Sequence, residues 1–391
     1  MKSKKKHIIV YTAPTVAHHY QYASSFAELN LLKDFVTGAT RFSSKQKNID
    51  SKIIPYKRSH NIFSALNALV FRYGLDFLKP YTRYLMSLEL DIATRKYLKD
   101  AKIVMMYSGC GVYSIREARR MGCKSVVEVV STHVNDYLEC LEKEADSCGI
   151  KPIGMLTALK ERMILEYREA DYILCASNAV RDSLINNGIS AEKIRMVSYP
   201  MPQFKRKKVA NLDEDSRGSQ FNVLFVGQIH YRKGIKYLLE GFVEARIQSS
   251  LLRLVGPPSK SSGVNLNQLP TNVEYLGKMG ATKLQAQYEW ADVLVLPSVE
   301  DGFGLVVLEA ISYGVVPVVS RAAGSAEIIT DRENGILIEP RSSVSIAVAL
   351  KLLENKECRK SLQRNIDSLI DQINGKPSLS KSLSDLVDSI L

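Results

Sequence analysis

Asp301 and Glu309, with seven residues between them, bracket a glycine turn, Gly302-Phe303-Gly304, and the start of a helical segment running from Leu305 to Tyr313. The apolar run Ala291 to Pro297 before them reads as a buried parallel strand. Gly314 closes the helix, and Val315 to Val319 reads as the next strand. A strand, a glycine turn and a helix aim backbone N–H groups and the positive end of a helix dipole at one point, which makes an anion site. Carboxylates repel phosphate, so Asp301 and Glu309 suit hydroxyl groups on either side of it. A phosphate flanked by hydroxyls is what a sugar nucleotide offers.

A second basic constellation follows another expected strand, Val223 to Val226. Gly227-Gln228 leads through Arg232-Lys233-Gly234 into a helix over Ile235 to Ala245. Two cations at a strand-to-helix junction match a diphosphate, with a solvated basic cap as the plainer reading for Arg232.

At these residues the chain resembles the retaining glycosyltransferases of family 4. Their E-G-F-G-L-x-x-x-E block is matched by Asp301-Gly-Phe-Gly-Leu-Val-Val-Leu-Glu309, with Asp in place of the first Glu. The resemblance implies a GT-B fold: two Rossmann-like α/β domains with parallel sheets facing across a cleft. It implies Lys233, Asp301 and Glu309 as the catalytic set, with Lys233 on the phosphates, Asp301 toward the donor sugar and Glu309 toward the ribose. Substrate contacts are implied for Gly227, Arg232, Gly302, Phe303, Gly304 and Leu305, for His133 after the strand Ser125–Val130, and for Glu327 in Gly324-Ser-Ala-Glu327. Gln228 stands where many members carry arginine. In the first strand-to-helix turn, Ala13-Pro14 and His18-His19 replace a glycine-rich loop and a histidine.

The elements that must position these groups follow from the apolar pattern. Strands are expected at Ile8–Thr12, Ile103–Tyr107, Ser125–Val130, Tyr172–Cys175 and Arg195–Tyr199, then at Val223–Val226, Arg253–Val255, Val293–Leu296 and Val315–Val319. Alternation with helical segments implies parallel sheets with right-handed crossovers. The expected domains are 1–205 for the acceptor, a polar linker 206–220, 221–375 for the nucleotide-sugar donor, and a terminal helix 376–391 that in the family often crosses back to the first domain.

Composition narrows the function further. The 391 residues are ordinary globular material, 46% hydrophobic and 24% charged, and no apolar run nears the ~20 residues a membrane span needs. Six cysteines without a C-x-x-C pair fit a reduced, cytoplasmic setting. Residues 1–210 hold 34 Lys and Arg against 20 Asp and Glu, a balance of +14, whereas 211–391 hold 19 against 21. A basic half suggests an anionic partner, either the inner face of a membrane or a phosphorylated lipid acceptor. With no nucleic-acid module recognised, nucleic acid is not expected. The segment Ile62 to Leu98 mixes aromatic and basic residues as interfacial helices do; for most of its aromatics, packing in the first domain's core is the favoured reading.

Three motifs are set aside. Asp213-Glu-Asp215 fits a D-x-D metal signature but lies in the polar linker. Gly109-Cys-Gly111 with Glu128 is a partial dinucleotide fingerprint. His18-His19 lacks carboxylate or cysteine partners at metal-ligand spacing. No metal is therefore expected, and no cofactor beyond the nucleotide-diphosphate sugar as co-substrate. The expected activity is transfer of a sugar to a saccharide or lipid-linked acceptor with retention, in cell-surface polysaccharide or lipopolysaccharide synthesis. A nicotinamide-dependent sugar-nucleotide oxidoreductase and a GT-B glycan-binding domain without turnover stay open as alternatives.

Overall fold

The computed structural model describes residues 7–14, 18–38, 50–152, 154–199, 220–259 and 262–391, with all their side chains except those of Phe71 and Asp76. The expected linker lies outside the described residues apart from Gln220, and so do Asp213 and Asp215.

The chain builds two parallel sheets. The first contains β1 (Ile9–Ala13), β2 (Leu32–Thr37), β3 (Lys57–Ser59), β4 (Ile103–Tyr107), β5 (Lys124–Glu128), β6 (Tyr172–Cys175) and β7 (Ile194–Met196), in the order β3-β2-β1-β4-β5-β6-β7. The second contains β8 (Phe221–Val226), β9 (Ser250–Val255), β10 (Val273–Gly277), β11 (Val293–Leu296), β12 (Val316–Ser320) and β13 (Ile336–Ile338), in the order β10-β9-β8-β11-β12-β13. Every pairing is parallel. This is the α/β, two-domain GT-B arrangement. Strands such as β8 and β11 are buried along their whole length, which is why Val223–Val226 and Val293–Leu296 read as unbroken apolar runs.

Four strands escape the apolar pattern. β3, β10 and β13 lie at sheet edges, where one side needs no apolar partner, and β2 is interrupted by Lys33 and Asp34. Strand order reverses between β1 and β4 in the first sheet and between β8 and β11 in the second. In open α/β sheets such reversals open a crevice at the carboxyl ends of the strands. Gly227–Lys233 leaves β8 and Pro297–Gly304 leaves β11, so both chemistry-bearing stretches flank the second crevice.

The last helix, Leu379–Ile390, packs on the helix His19–Glu28 of the first domain. Leu383, Leu386, Val387 and Ile390 join the first domain's core beside Tyr20, Tyr22 and Phe26. The aromatic segment departs from its expected core role. The helix Ile62–Arg72 packs chiefly on the helix Lys79–Arg95, so only one side of it is covered. Val70 is buried, but Leu66, Leu69, Tyr73, Phe77 and Tyr81 are 42–71% exposed. Among the described residues no helix is long and apolar enough to cross a membrane.

Candidate functional site

Local backbone geometry explains the glycines. Gly234 takes a left-handed conformation (φ 68°) that closes the Tyr231–Lys233 turn, and a methyl there would stand 2.0 Å from the Pro297 carbonyl. The loops after β8 and β11 are thus pressed together. Gly302 is a glycine for a different reason. A methyl on it would stand 1.8 Å from the Val130 carbonyl of the first domain, so the turn after β11 closes against the loop after β5. The Gly302 carbonyl accepts from Ser177 Oγ at 2.6 Å, and Phe303 is buried edge-on against Tyr199, ring centroids 5.3 Å apart. Leu305 packs half-buried at the same seam. The helix that follows is only Val306–Ser312, shorter than the apolar pattern suggests.

The structure brings Lys233 and Asp301 together directly: Lys233 Nζ donates to Asp301 Oδ2, and Ser298 Oγ adds a contact at 3.4 Å. Burial pulls the Lys233 ammonium below its ordinary pKa, helped by the like charge of Arg232, and more strongly than Asp301 holds it up. Burial works to raise the Asp301 carboxyl, but Lys233 and Arg232 outweigh it and hold the acid below its usual range. Arg232 donates to the Glu300 carbonyl at 2.8 Å and to Glu300 Oε2 at 2.9 Å. Two cations and two acids therefore lie side by side at the crevice, charge-balanced within the protein.

Glu300 is the residue that sequence reasoning passed over. It is 4% exposed, and its Oε1 accepts from the Thr132 N–H at 3.1 Å and hydroxyl at 3.2 Å, tying the two domains together. Its position next to Asp301 was the available signal. In a turn rather than a strand, two successive acids face the same crevice.

The other expected site residues are distributed as follows. Glu309 accepts from the buried Tyr288 hydroxyl at 2.5 Å, and Tyr288 stacks on Tyr313 at 5.4 Å. Glu327 accepts from the Asn178 N–H at 2.8 Å, another bond between the domains. His133 caps the helix Val134–Ser147, its Nδ1 accepting from the Asn135 N–H at 3.3 Å. Its ring lies against Tyr167, centroids 5.2 Å apart, and burial lowers its pKa. Gly227 donates its N–H to the Val255 carbonyl at 2.9 Å, and its own carbonyl is crowded by Gly256.

His18-His19 requires a correction. A carboxylate partner does exist, supplied by Glu128 from the end of β5. His18 Nε2 lies 2.5 Å from Glu128 Oε1, and the Tyr11 hydroxyl donates to Glu128 Oε2 at 2.8 Å while contacting His19 Nδ1 at 2.8 Å. One ligand atom from each of His18, His19 and Glu128 falls within 4.8 Å of the others, a grouping able to hold a cation. Each of the three already has hydrogen-bond partners inside the cluster. Burial alone would raise the Glu128 carboxyl; the charges and hydrogen bonds of His19 and His18 prevail and hold it far below its usual range. His18 lies edge-on to Tyr199, centroids 4.8 Å apart, so the cluster borders the same seam as Phe303.

Gly109 and Gly111 also have their N–H groups committed. They donate to the two carboxylate oxygens of buried Glu166 at 2.5 and 2.6 Å. A dinucleotide's pyrophosphate needs those donors, so this loop is not free to take one.

A model of the family Glycosyl transferases group 1 matches residues 220–355. An uncharacterized 41.2 kDa protein in the cps region of Klebsiella pneumoniae is 26% identical over 303 residues, 75% of this chain and 80% of that protein. The lipopolysaccharide 1,2-N-acetylglucosaminetransferase of Salmonella typhimurium is 24% identical over 307 residues, 74% of this chain and 72% of that enzyme. The crystal structure of Anabaena HepE in complex with UDP and glucose superposes over 97% of this chain and 99% of its own, with a TM-score of 0.68 and 13% identity. At that identity the likeness bears on the fold.

Proposed function

We propose, from the match of residues 220–355 to the Glycosyl transferases group 1 family, that the chain transfers a hexosyl group from a nucleotide-diphosphate sugar to a saccharide or lipid-linked hydroxyl acceptor, with retention of anomeric configuration. The observation that carries this reading is the charge-balanced group of Arg232, Lys233, Glu300 and Asp301 at the carboxyl ends of β8 and β11. A sugar nucleotide opens the Lys233–Asp301 pair by giving each partner a substitute. The diphosphate takes the ammonium, and sugar hydroxyls take the carboxylate. Glu309, held by Tyr288, faces the ribose.

In the transfer, the bond from the anomeric carbon to the phosphate oxygen breaks as the acceptor oxygen bonds to that carbon. The acceptor's proton passes to the departing phosphate. Lys233 and Arg232 stabilise the charge that gathers on the leaving diphosphate. Cell-surface glycan synthesis is supported by the relative from a cps region and by the lipopolysaccharide enzyme. A nucleotide-diphosphate donor is supported by the fold-mate bound to UDP and glucose.

The balance of +14 over residues 1–210 and the exposed Leu66, Leu69, Tyr73, Phe77 and Tyr81 support contact with an anionic membrane surface, which would place the protein peripherally on the inner face. Binding to anionic vesicles should then fall as salt rises through ~0.15 M, where the Debye length is about 8 Å. Indifference to lipid charge and salt would point to a soluble acceptor.

The test of the activity is thermal-shift screening against nucleoside diphosphates and their sugars, followed by NMR of the product's anomeric proton. One ligand at ~100 times its dissociation constant should add about 2.7 kcal/mol of stability. A protein that no nucleoside diphosphate stabilises and that consumes no sugar nucleotide is not a transferase.

A further inference from the structure

Tyr11 of β1, His18 and His19 at the start of the first helix, and Glu128 at the end of β5 form a cluster that the transfer steps above do not use. The side chains of His18, His19 and Glu128 are 10%, 3% and 3% exposed. Among the described residues this buried carboxylate pairs with no lysine or arginine, only with the two histidines. Two neutral imidazoles leave its charge uncompensated, which is costly away from water.

The donor atoms have the spacing of a metal site. His18 Nε2, His19 Nδ1 and a Glu128 carboxylate oxygen all lie within 4.8 Å of one another. Zinc–nitrogen bonds of ~2.0–2.1 Å set the ligand atoms of a tetrahedral site roughly 3.3 Å apart. His19 Nδ1 and Glu128 Oε2 already stand 3.2 Å apart, and His18 Nε2 and Glu128 Oε1, at 2.5 Å, need to separate only slightly. Two imidazole nitrogens and one carboxylate oxygen suit zinc better than magnesium or calcium, which take oxygen ligands.

A supporting shell is present as well. The Tyr11 hydroxyl donates to Glu128 Oε2 at 2.8 Å, the kind of outer contact that fixes a ligating carboxylate. His19 lies edge-on to Tyr107 at 5.2 Å, and His18 lies edge-on to Tyr22 and Tyr199 at 5.6 and 4.8 Å, centroid to centroid. Both imidazoles are therefore held by aromatic walls, and His18, the least buried ligand, leaves a way in.

We propose that His18, His19 and Glu128 bind one divalent transition ion of the zinc class per chain, with water in the fourth position. The ion ties the start of the first helix to β5, whose Glu128 lies 110 residues further along the chain. Among the described residues no hydrogen bond or ion pair joins the three ligands to Arg232, Lys233, Glu300 or Asp301. The ion is therefore structural, and transfer does not require it: in stripped protein the His18–Glu128 hydrogen bond closes the gap. The inference stands independently of the glycosyl-transfer reading.

The full chain is stripped with a chelator, dialysed, and titrated with zinc by calorimetry and with cobalt(II) by visible absorption. One zinc ion per chain should bind, and saturation should raise the melting temperature. Bound cobalt(II) should show the ligand-field bands of a four-coordinate site without a thiolate charge-transfer band, a needed distinction in a chain with six cysteines. His18→Gln should weaken zinc by more than ~100-fold, beyond the ~10–100-fold that loss of an outer contact costs. Tyr11→Phe keeps all three ligands and should weaken zinc by ~10–100-fold.

If the parent does not bind one zinc ion per chain, the cluster is a hydrogen-bonded group only and the proposal falls. A thiolate band with cobalt(II), or zinc affinity unchanged in folded His18→Gln, places the ion elsewhere and also overturns it. Should circular dichroism show His18→Gln unfolded, the parent's cobalt(II) spectrum and the Tyr11→Phe affinity decide the matter.

Discussion

Replacing Glu300 by alanine should be among the most damaging single changes at the crevice, although Glu300 stands outside the matched acid pair. Its side chain is 5% exposed, that of Arg232 is 22% exposed, and their N–O distance is 2.9 Å. At an effective dielectric of about 20, charges that close attract by roughly 6 kcal/mol before desolvation is subtracted. Removing one partner of such a pair typically costs about 3–5 kcal/mol, because the other charge is left buried. The two Thr132 bonds add about 1 kcal/mol each at most, since water entering the gap recovers part of them. Alanine is therefore expected to destabilise the protein by about 3–5 kcal/mol, and glutamine, which keeps the shape and loses the charge, by roughly 1–3 kcal/mol. Urea denaturation of the parent, Glu300→Ala, Arg232→Met and the double variant forms the assay. The cycle should show a coupling of about 1–3 kcal/mol between the two residues. If Glu300→Ala stays within about 0.5 kcal/mol of the parent, or the double variant equals the sum of the singles, the pair is not what closes the crevice.

Asp301→Asn is expected to lower turnover strongly with nucleotide affinity near the parent's, whereas Glu309→Gln should weaken nucleotide binding itself; parental turnover by Asp301→Ala would remove Asp301 from the sugar. Lys233→Ala should weaken nucleoside diphosphate binding by roughly 1.5–3 kcal/mol and leave nucleoside binding almost unchanged, and equal diphosphate affinity by calorimetry would take Lys233 out of the site. His230, with its pKa lowered to about 4 from an ordinary 6.5, favours the folded state when neutral, so its contribution is full above pH 6.5 and is lost as pH falls through 4. The unfolding free energy from urea denaturation should therefore fall further between pH 7 and 4.5 in the parent than in His230→Asn, by roughly 3 kcal/mol at most, and equal falls would acquit His230. Turnover should survive exhaustive chelation; loss that manganese alone restores would return attention to His18, His19 and Glu128, or to Asp213 and Asp215.

Much of the scaffold was determined by local sequence. Val223–Val226 in β8, Val293–Leu296 in β11 and Val316–Val319 in β12 are continuous apolar runs because a parallel strand covered on both faces has no polar side to show. The turns at Gly234 and Gly304 announce themselves because positive φ excludes most side chains. The Asp301-to-Glu309 spacing was legible for the same reason, since strand, turn and helix are consecutive. Burial of the segment after Ile62 was not legible: an aromatic helix reads alike whether it meets a sheet or solvent, and only packing showed that Tyr73, Phe77 and Tyr81 are outside. Nor was the choice of partners for the buried charges. Glu128 meets His18 across 110 residues of chain, and Glu300 meets Thr132 across 168. Periodicity and turn chemistry act over a few residues, whereas a buried carboxylate takes whichever donor the sheet order brings to the same strand end. The sequence alone could therefore mark Lys233 and Asp301 as candidate site residues, and only the tertiary structure could show that they hold each other.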